Sequence, residues 1–225
     1  LKNIFQSLSK EVILLEISGK KYIHGTFIDS GSDILVLYNG KEFVYIPLVH
    51  IQNFKVDNNN EYFIEEPPEF QGIYTEANKE ELSLRKILTL AKGMFVKIYV
   101  TSSQPLSGYI TSIMNNYFVF HSPVYKTMYI TLNHLKWLIP YSENERPYNL
   151  SEEHFPVQLT DLSLSRTFEV QVSKFKNKMV MINIGEKEHH IGKINNVQDQ
   201  IVEIQTADPT PYYLTLNHIK TLHQL

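Results

Sequence analysis

Cysteine is absent from the 225 residues, which excludes disulfides, thiolate metal sites and a cysteine nucleophile. A basic excess is absent too. Lys and Arg number 21 against 24 Asp and Glu, for a net charge of −3. Chains that bind polyanions usually carry a basic patch or stripe, and neither is visible here. No apolar run reaches the roughly 18 residues that a membrane-spanning helix needs. Leu1 to Lys10 lack a basic region followed by an apolar core, so no signal peptide is expected. Gly-x-Ser-x-Gly, His-Glu-x-x-His and phosphate-cradling glycine loops are also missing. The expectation is a protein that is not an enzyme and takes no cofactor. What the chain does have is aromatic side chains, 14 Tyr and 12 Phe, in a sequence that is 43% hydrophobic. Aromatic and β-branched richness favours strands.

The strongest positive signal is internal repetition. Tyr45-Ile46-Pro47-Leu48-Val49-His50-Ile51 recurs as Tyr129-Ile130-Thr131-Leu132-Asn133-His134-Leu135, and again as Tyr213-Leu214-Thr215-Leu216-Asn217-His218-Ile219. The spacing is 84 residues each time. Upstream, Gly25, Gly108 and Gly192 align, each before an alternating apolar stretch. Further upstream, Ile13, Leu15 and Ile17 align with Val96, Ile98 and Val100, and with Val180, Ile182 and Ile184. Apolar residues at a spacing of two read as a strand with one buried face.

Each copy therefore predicts a short helix or turn followed by about five strands. Leu84, Ile87, Leu88 and Ala91 lie at helical spacing in the second copy. In the third, Val170 and Val172 allow 168–175 to be read as strand. Ser18-Gly19-Lys20, Asn39-Gly40 and Asn115-Asn116 are turn signals, Asn-Gly because both residues tolerate positive φ. Five short strands in about 55 residues close most economically as a small barrel. The predicted fold is all-β with short helices: three tandem five-stranded modules at 1–56, 82–140 and 163–225. An acidic linker at 57–81 and a second linker at 141–162 join them.

The order of helix, bent strand, glycine turn, polar residue and closing strand resembles the Sm-like (SH3-like) barrel. That resemblance implies RNA-binding positions at Asp29 and Asp33, at Ser112 and Asn116, and at Asn196 and Gln200. The pattern is degenerate between copies. The basic residue and glycine of the second Sm motif are replaced by Pro47-Leu48, Thr131-Leu132 and Thr215-Leu216. The phosphate contribution that dominates nucleic-acid affinity is weak in an acidic chain. A closer resemblance is to Bacillus spore coat protein B and related small spore proteins. It rests on the triple order of helix entry, glycine turn and closing segment, seen in Tyr129 to Lys136 and Tyr213 to Lys220. It covers nearly the whole chain; the family's long Ser/Lys/Arg-rich tail has no counterpart before Leu225. It implies a structural component of the outer spore coat, made in the mother-cell cytoplasm and associating with itself or with other coat proteins. No membrane partner or small-molecule substrate is implied. An Sm-like RNA-binding protein is the alternative.

Two candidate chemistries are outweighed by plainer readings. His50, His134 and His218 invite a metal or catalytic reading. One histidine per module does not supply the three or four ligands that zinc takes, so each is expected to pack at a strand end. His189-His190 with Glu186 and Glu188 is expected to be a solvated hairpin tip. The acids of the first linker lack the ordered Asp-x-Asp-x-Asp-Gly spacing of a calcium loop. Physically, the repetition points to association. Tethered modules that pair edge to edge leave one free edge at each end unless they close on themselves.

Overall fold

The computed structural model describes residues 4–5, 7–59, 64–66, 72–74, 82–101, 104–142, 145, 147–149, 163–186 and 190–225. It is predominantly strand. The first repeat holds β1 (Val12–Ile17), β2 (Lys21–Ser30), β3 (Ile34–Tyr38), β4 (Phe43–Pro47) and β5 (Ile51–Val56). The second holds helix α1 (Leu84–Leu90), then β6 (Phe95–Tyr99), β7 (Leu106–Ile113), β8 (Tyr117–Ser122), β9 (Lys126–Thr131) and β10 (Trp137–Pro140). The third holds helix α2 (Phe168–Ser173), then β11 (Met179–Ile182), β12 (His190–Gln198), β13 (Ile201–Gln205), β14 (Tyr212–Thr215) and β15 (Thr221–Gln224).

Local chemistry sets these elements. In β1, Ile13, Leu15 and Ile17 are fully buried, while Val12, Leu14 and Glu16 are only half-buried. The second strand of every repeat carries a bulge at the same place. Register shifts between Phe27 and Asp29, between Ile110 and Ser112, and between Ile194 and Asn196. A bulge bends a strand and increases its twist. The glycine just before it is needed for space. A Cβ on Gly25, Gly108 or Gly192 would lie 2.7, 2.2 or 2.5 Å from a carbonyl oxygen of the next strand. Asn39-Gly40 turns the chain between β3 and β4, with Gly40 at φ +92. The Asn39 side-chain oxygen accepts from the backbone of Lys41 and Glu42.

The heptad is a strand end followed by one turn of 3₁₀ helix: Leu48–His50, Leu132–His134 and Leu216–His218. Each turn is tied back by the same backbone bond. Leu48, Leu132 and Leu216 donate to the carbonyls of Asp33, Asn116 and Gln200, at 2.8, 2.9 and 2.8 Å.

Residues 168–173 form helix α2, which corrects the reading of this stretch as strand. Phe168 and Val172, four apart, are buried, whereas Val170 is 56% exposed. A strand would have put all three on one face. Tertiary burial overrides the β-branched composition here.

The chain divides into two compact units. Unit 1 comprises Leu1–Ile98 with Lys136–Ser142, and unit 2 comprises Tyr99–Leu135 with Glu143–Leu225. The second repeat is thus shared between them. In unit 1 the strands run β6-β10-β4-β3-β2-β1-β5; in unit 2 they run β14-β13-β12-β11-β15-β9-β8-β7. These are open series that pass from one repeat into the next, not separate closed five-stranded barrels. The reason lies at the closing strands. β10 pairs antiparallel with β4, and β15 with β9.

Unit 1 packs Phe5, Ile13, Leu15, Ile17, Phe27, Leu35, Leu37, Val44 and Ile46 into one core, with Ile139 of β10 completing it. The core of unit 2 joins Tyr117, Val119 and Tyr129 to Phe168, Val172, Phe175, Val180, Ile182 and Leu222. Among the described residues, no helix is long and apolar enough to cross a membrane.

Candidate interaction site at the repeat junctions

The turn between the second and third strands carries the polar positions Asp33 and Asn116. Both are occupied by backbone of the following repeat. In unit 1, Asp33 Oδ1 accepts from the backbone N–H of Leu84 at 2.7 Å. The neighbouring Ser32 N–H donates to the Leu82 carbonyl at 3.0 Å. In unit 2, Asn116 Oδ1 accepts from the Phe168 N–H at 2.8 Å, and the Asn115 N–H donates to the Arg166 carbonyl at 3.0 Å. The two junctions match atom for atom. Leu84 and Phe168 open α1 and α2, whose first N–H groups have no partner within their own helix. A side-chain oxygen from the preceding repeat satisfies one of them.

Asn116 also donates from Nδ2 to Glu169 Oε1 at 3.0 Å, using both ends of its amide. Tyr117, fully buried beside it, donates its hydroxyl to the Ser165 carbonyl at 2.6 Å, with Gln171 Oε1 at 3.2 Å. Gln171 Oε1 in turn accepts from the Ser165 N–H at 2.8 Å. Burial, with the neighbouring Tyr129 adding to it, pushes the Tyr117 hydroxyl up to about 12. It therefore stays protonated, as a hydroxyl donating to a carbonyl must.

The heptad tyrosines mark the strand side of each junction. Tyr45 is fully buried and its hydroxyl accepts from the Ile73 N–H at 2.8 Å. Burial raises its pKa. Tyr129 packs edge-on against Phe175, ring centroids 5.1 Å apart. Tyr213, in the same place of the third repeat, is 60% exposed. Tyr45 lies opposite Leu138 of β10, and Tyr129 opposite Leu222 of β15. Leu138 and Leu222 are themselves equivalent positions 84 residues apart.

The remaining positions singled out in the sequence do not converge. Asp29 Oδ2 accepts from the Tyr74 hydroxyl at 3.2 Å. Ser112 and Asn196 follow the bulges and are half-buried; Asn196 Oδ1 accepts from Lys176 Nζ at 3.3 Å. Gln200 is exposed, with φ +64, next to Asp199 at φ +52. The histidines differ among themselves. His50 is buried with Nδ1 2.9 Å from Ser18 Oγ. His134 Nδ1 lies 2.7 Å from Thr131 Oγ1, and the backbone carbonyl of His218 accepts from Asn183.

Among the described residues, no three His, Asp or Glu side chains gather to hold a metal. Glu188 and His189 lie outside those residues. His190 stacks on Tyr212 and Glu186 pairs with Lys220. Most of the 57–81 and 141–162 linkers also lies outside the described residues.

Tyr117, Ser165 and Gln171 were not singled out in the sequence. The available signal was a hydroxyl-bearing residue where the other repeats have Ile34 and Ile201.

A family model described as the YwrJ third domain matches residues 167–222, which run from the residue before α2 into β15. The chain is also similar to an uncharacterized protein, YwrJ, of Bacillus subtilis (strain 168). Identity is 35% over 227 residues, covering 99% of this chain and 99% of that protein.

Proposed function

The chain belongs to the YwrJ family, and on that footing we propose that it is a non-enzymatic assembly protein of the spore coat. It consists of three Sm-like modules that associate, with themselves or with other coat proteins, through module edges. The observation that carries this reading is the doubled junction. Asp33 and Asn116, which an RNA-binding Sm module would offer to bases, are spent on the helix N-termini of the next repeat. The same turn positions and strand edges serve to join modules.

The strand order β5-β1-β2-β3-β4 with a bulged second strand supports the Sm-like description of the first repeat. Support for the coat comes from the sequence resemblance to Bacillus spore coat protein B, and from a relative, matched over 99% of its length, in Bacillus subtilis.

The experiment is a fluorescent fusion in a sporulating host. A ring around the forespore late in development is expected; diffuse signal in vegetative cells would overturn the coat assignment. The RNA reading is tested with a U-rich oligonucleotide at low salt. No shift is expected, and a salt-sensitive complex lost in Asn196→Ala would reinstate it.

A further inference from the structure

Among the described residues, the third repeat has a junction edge on which no strand is paired. β4 is covered by β10 and β9 by β15. Among the described strands, β14 pairs with β13 alone, and β5 pairs with β1 alone. The unpaired sides belong to the two strand types that meet at both internal junctions: the fourth strand of one repeat and the fifth of another. The exposed aromatics agree. Tyr45 and Tyr129 are buried at their junctions, whereas Tyr213 is 60% and Tyr212 43% exposed. An unpaired strand edge is a template for another strand.

We propose that β14 of one copy pairs antiparallel with β5 of a second copy, in the register of the internal junctions, so that chains join head to tail. The register follows from the repeat. Leu222 faces Ile182 within its module, and Phe54 faces Leu15 in the same place of the first module. Phe54 is therefore the counterpart of Leu222 and of Leu138. Since Leu222 meets Tyr129 and Leu138 meets Tyr45, Phe54 of one copy meets Tyr213 of the other. Leu214 then faces Asn53 and Thr215 faces Gln52. The contact uses different surfaces on the two copies, so it propagates as a filament or closes as a ring of several chains.

This contact has only the strand half of an internal junction. Asp199 and Gln200 are exposed in a left-handed turn, unlike the turns that hold Leu84 and Phe168. Association between copies is accordingly weaker than within one, and depends on concentration.

The proposal rests on the assembly reading but not on the coat, and its test is in solution. The cysteine-free chain makes disulfide trapping clean. Directly opposed residues on antiparallel strands lie about 4.5–5.5 Å apart at Cα, within disulfide range. Full-length Gln52→Cys, isotopically labelled, is mixed with unlabelled Thr215→Cys under mild oxidation. A disulfide dimer containing one chain of each is expected. Lys55→Cys with Thr215→Cys, out of register, should give about tenfold less, because a slipped pairing turns buried side chains outward. Adding Tyr213→Lys should cut the in-register yield by about tenfold; its exposed position leaves the fold intact by circular dichroism.

Sedimentation of the unmodified chain should show a species larger than the monomer that grows with concentration. Three results would each overturn the proposal: no mixed dimer above the single-variant background, a monomer at all concentrations, or a chain carrying both Gln52→Cys and Thr215→Cys that links only within itself. Any of these would leave localisation at the forespore, and docking on other coat proteins, untouched.

Discussion

The junction inside unit 1 and the junction inside unit 2 are built to the same plan with different materials. In unit 1, α1 has its own cap: the Ser83 side chain accepts from the Lys86 N–H at 3.3 Å. Asp33 adds a second acceptor from outside. In unit 2, Thr167 precedes α2 without any side-chain cap bond, and Asn116 supplies the acceptor that the helix does not provide itself. The space differs as well. Gly31 in unit 1 sits where a Cβ would be 1.9 Å from the Leu82 carbonyl oxygen. Met114 occupies that place in unit 2 and packs against the core. Unit 1 achieves docking by close backbone approach, unit 2 by a buried side-chain network around Tyr117. The shared requirement is an acceptor for the first helical N–H and a donor for the carbonyl two residues before it.

The largest effect is expected at the network. Tyr117→Ala should lower the stability of unit 2 by about 3–5 kcal/mol, through the cavity and the unpaired Ser165 carbonyl. Denaturant melts report it, and hydrogen exchange should confine the loss to unit 2. An equal loss in both units would break the distinction. Next is Gly31→Ala, which forces the Leu82 backbone to move and should cost about 1–3 kcal/mol, with lost amide protection around Leu82 and α1. Met114→Ala should leave its junction bonds in place. A smaller pair sharpens the cap comparison. Asn116→Ala should cost about 1–2 kcal/mol and Asp33→Ala about 0.5–1 kcal/mol, because α1 keeps Ser83. If Asp33→Ala proves the more costly by urea melts, the account of the two caps fails.

Acid should separate the units most gently. Burial lowers the pKa of His223, and burial followed by the nearby Lys126 lowers that of His121; both lie in unit 2. A histidine depressed in the folded state binds fewer protons than the unfolded chain. Stability from this source is therefore complete above the unfolded value of 6.5 and is lost as pH falls from there through the folded value. Amide protection factors in unit 2, which correct for the slower intrinsic exchange in acid, should fall below pH 6.5. No such change over this range would show that neither histidine is held neutral by folding.

Much of the fold was legible in the residues, because strands and repeats are local signals. Alternation in Ile13, Leu15 and Ile17 gave the buried face of β1. The aligned glycines marked the close approach of the bent second strand. Helix α2 was not legible, since Val170 and Val172 look alike in sequence and only burial separates them. The junction was half legible. Asp33 and Asn116 stood out as polar positions after the glycine turn, and free edges followed from tethering. Their partners Leu84 and Phe168 could not be read, because each lies over fifty positions away and a backbone N–H leaves no trace in residue type.

The sharing of the second repeat between units also sets the order in which the molecule can be finished. β4 stays without its outer neighbour until β10 has been synthesised, and β7, β8 and β9 emerge from the ribosome in between. The same delay recurs for β9, which waits for β15 near the end of the chain. A growing chain thus always carries one unfinished sheet edge, and its contacts span long sequence separations, which slows folding. During that interval the open edge, first of β4 and then of β9, is a template for any other extended segment.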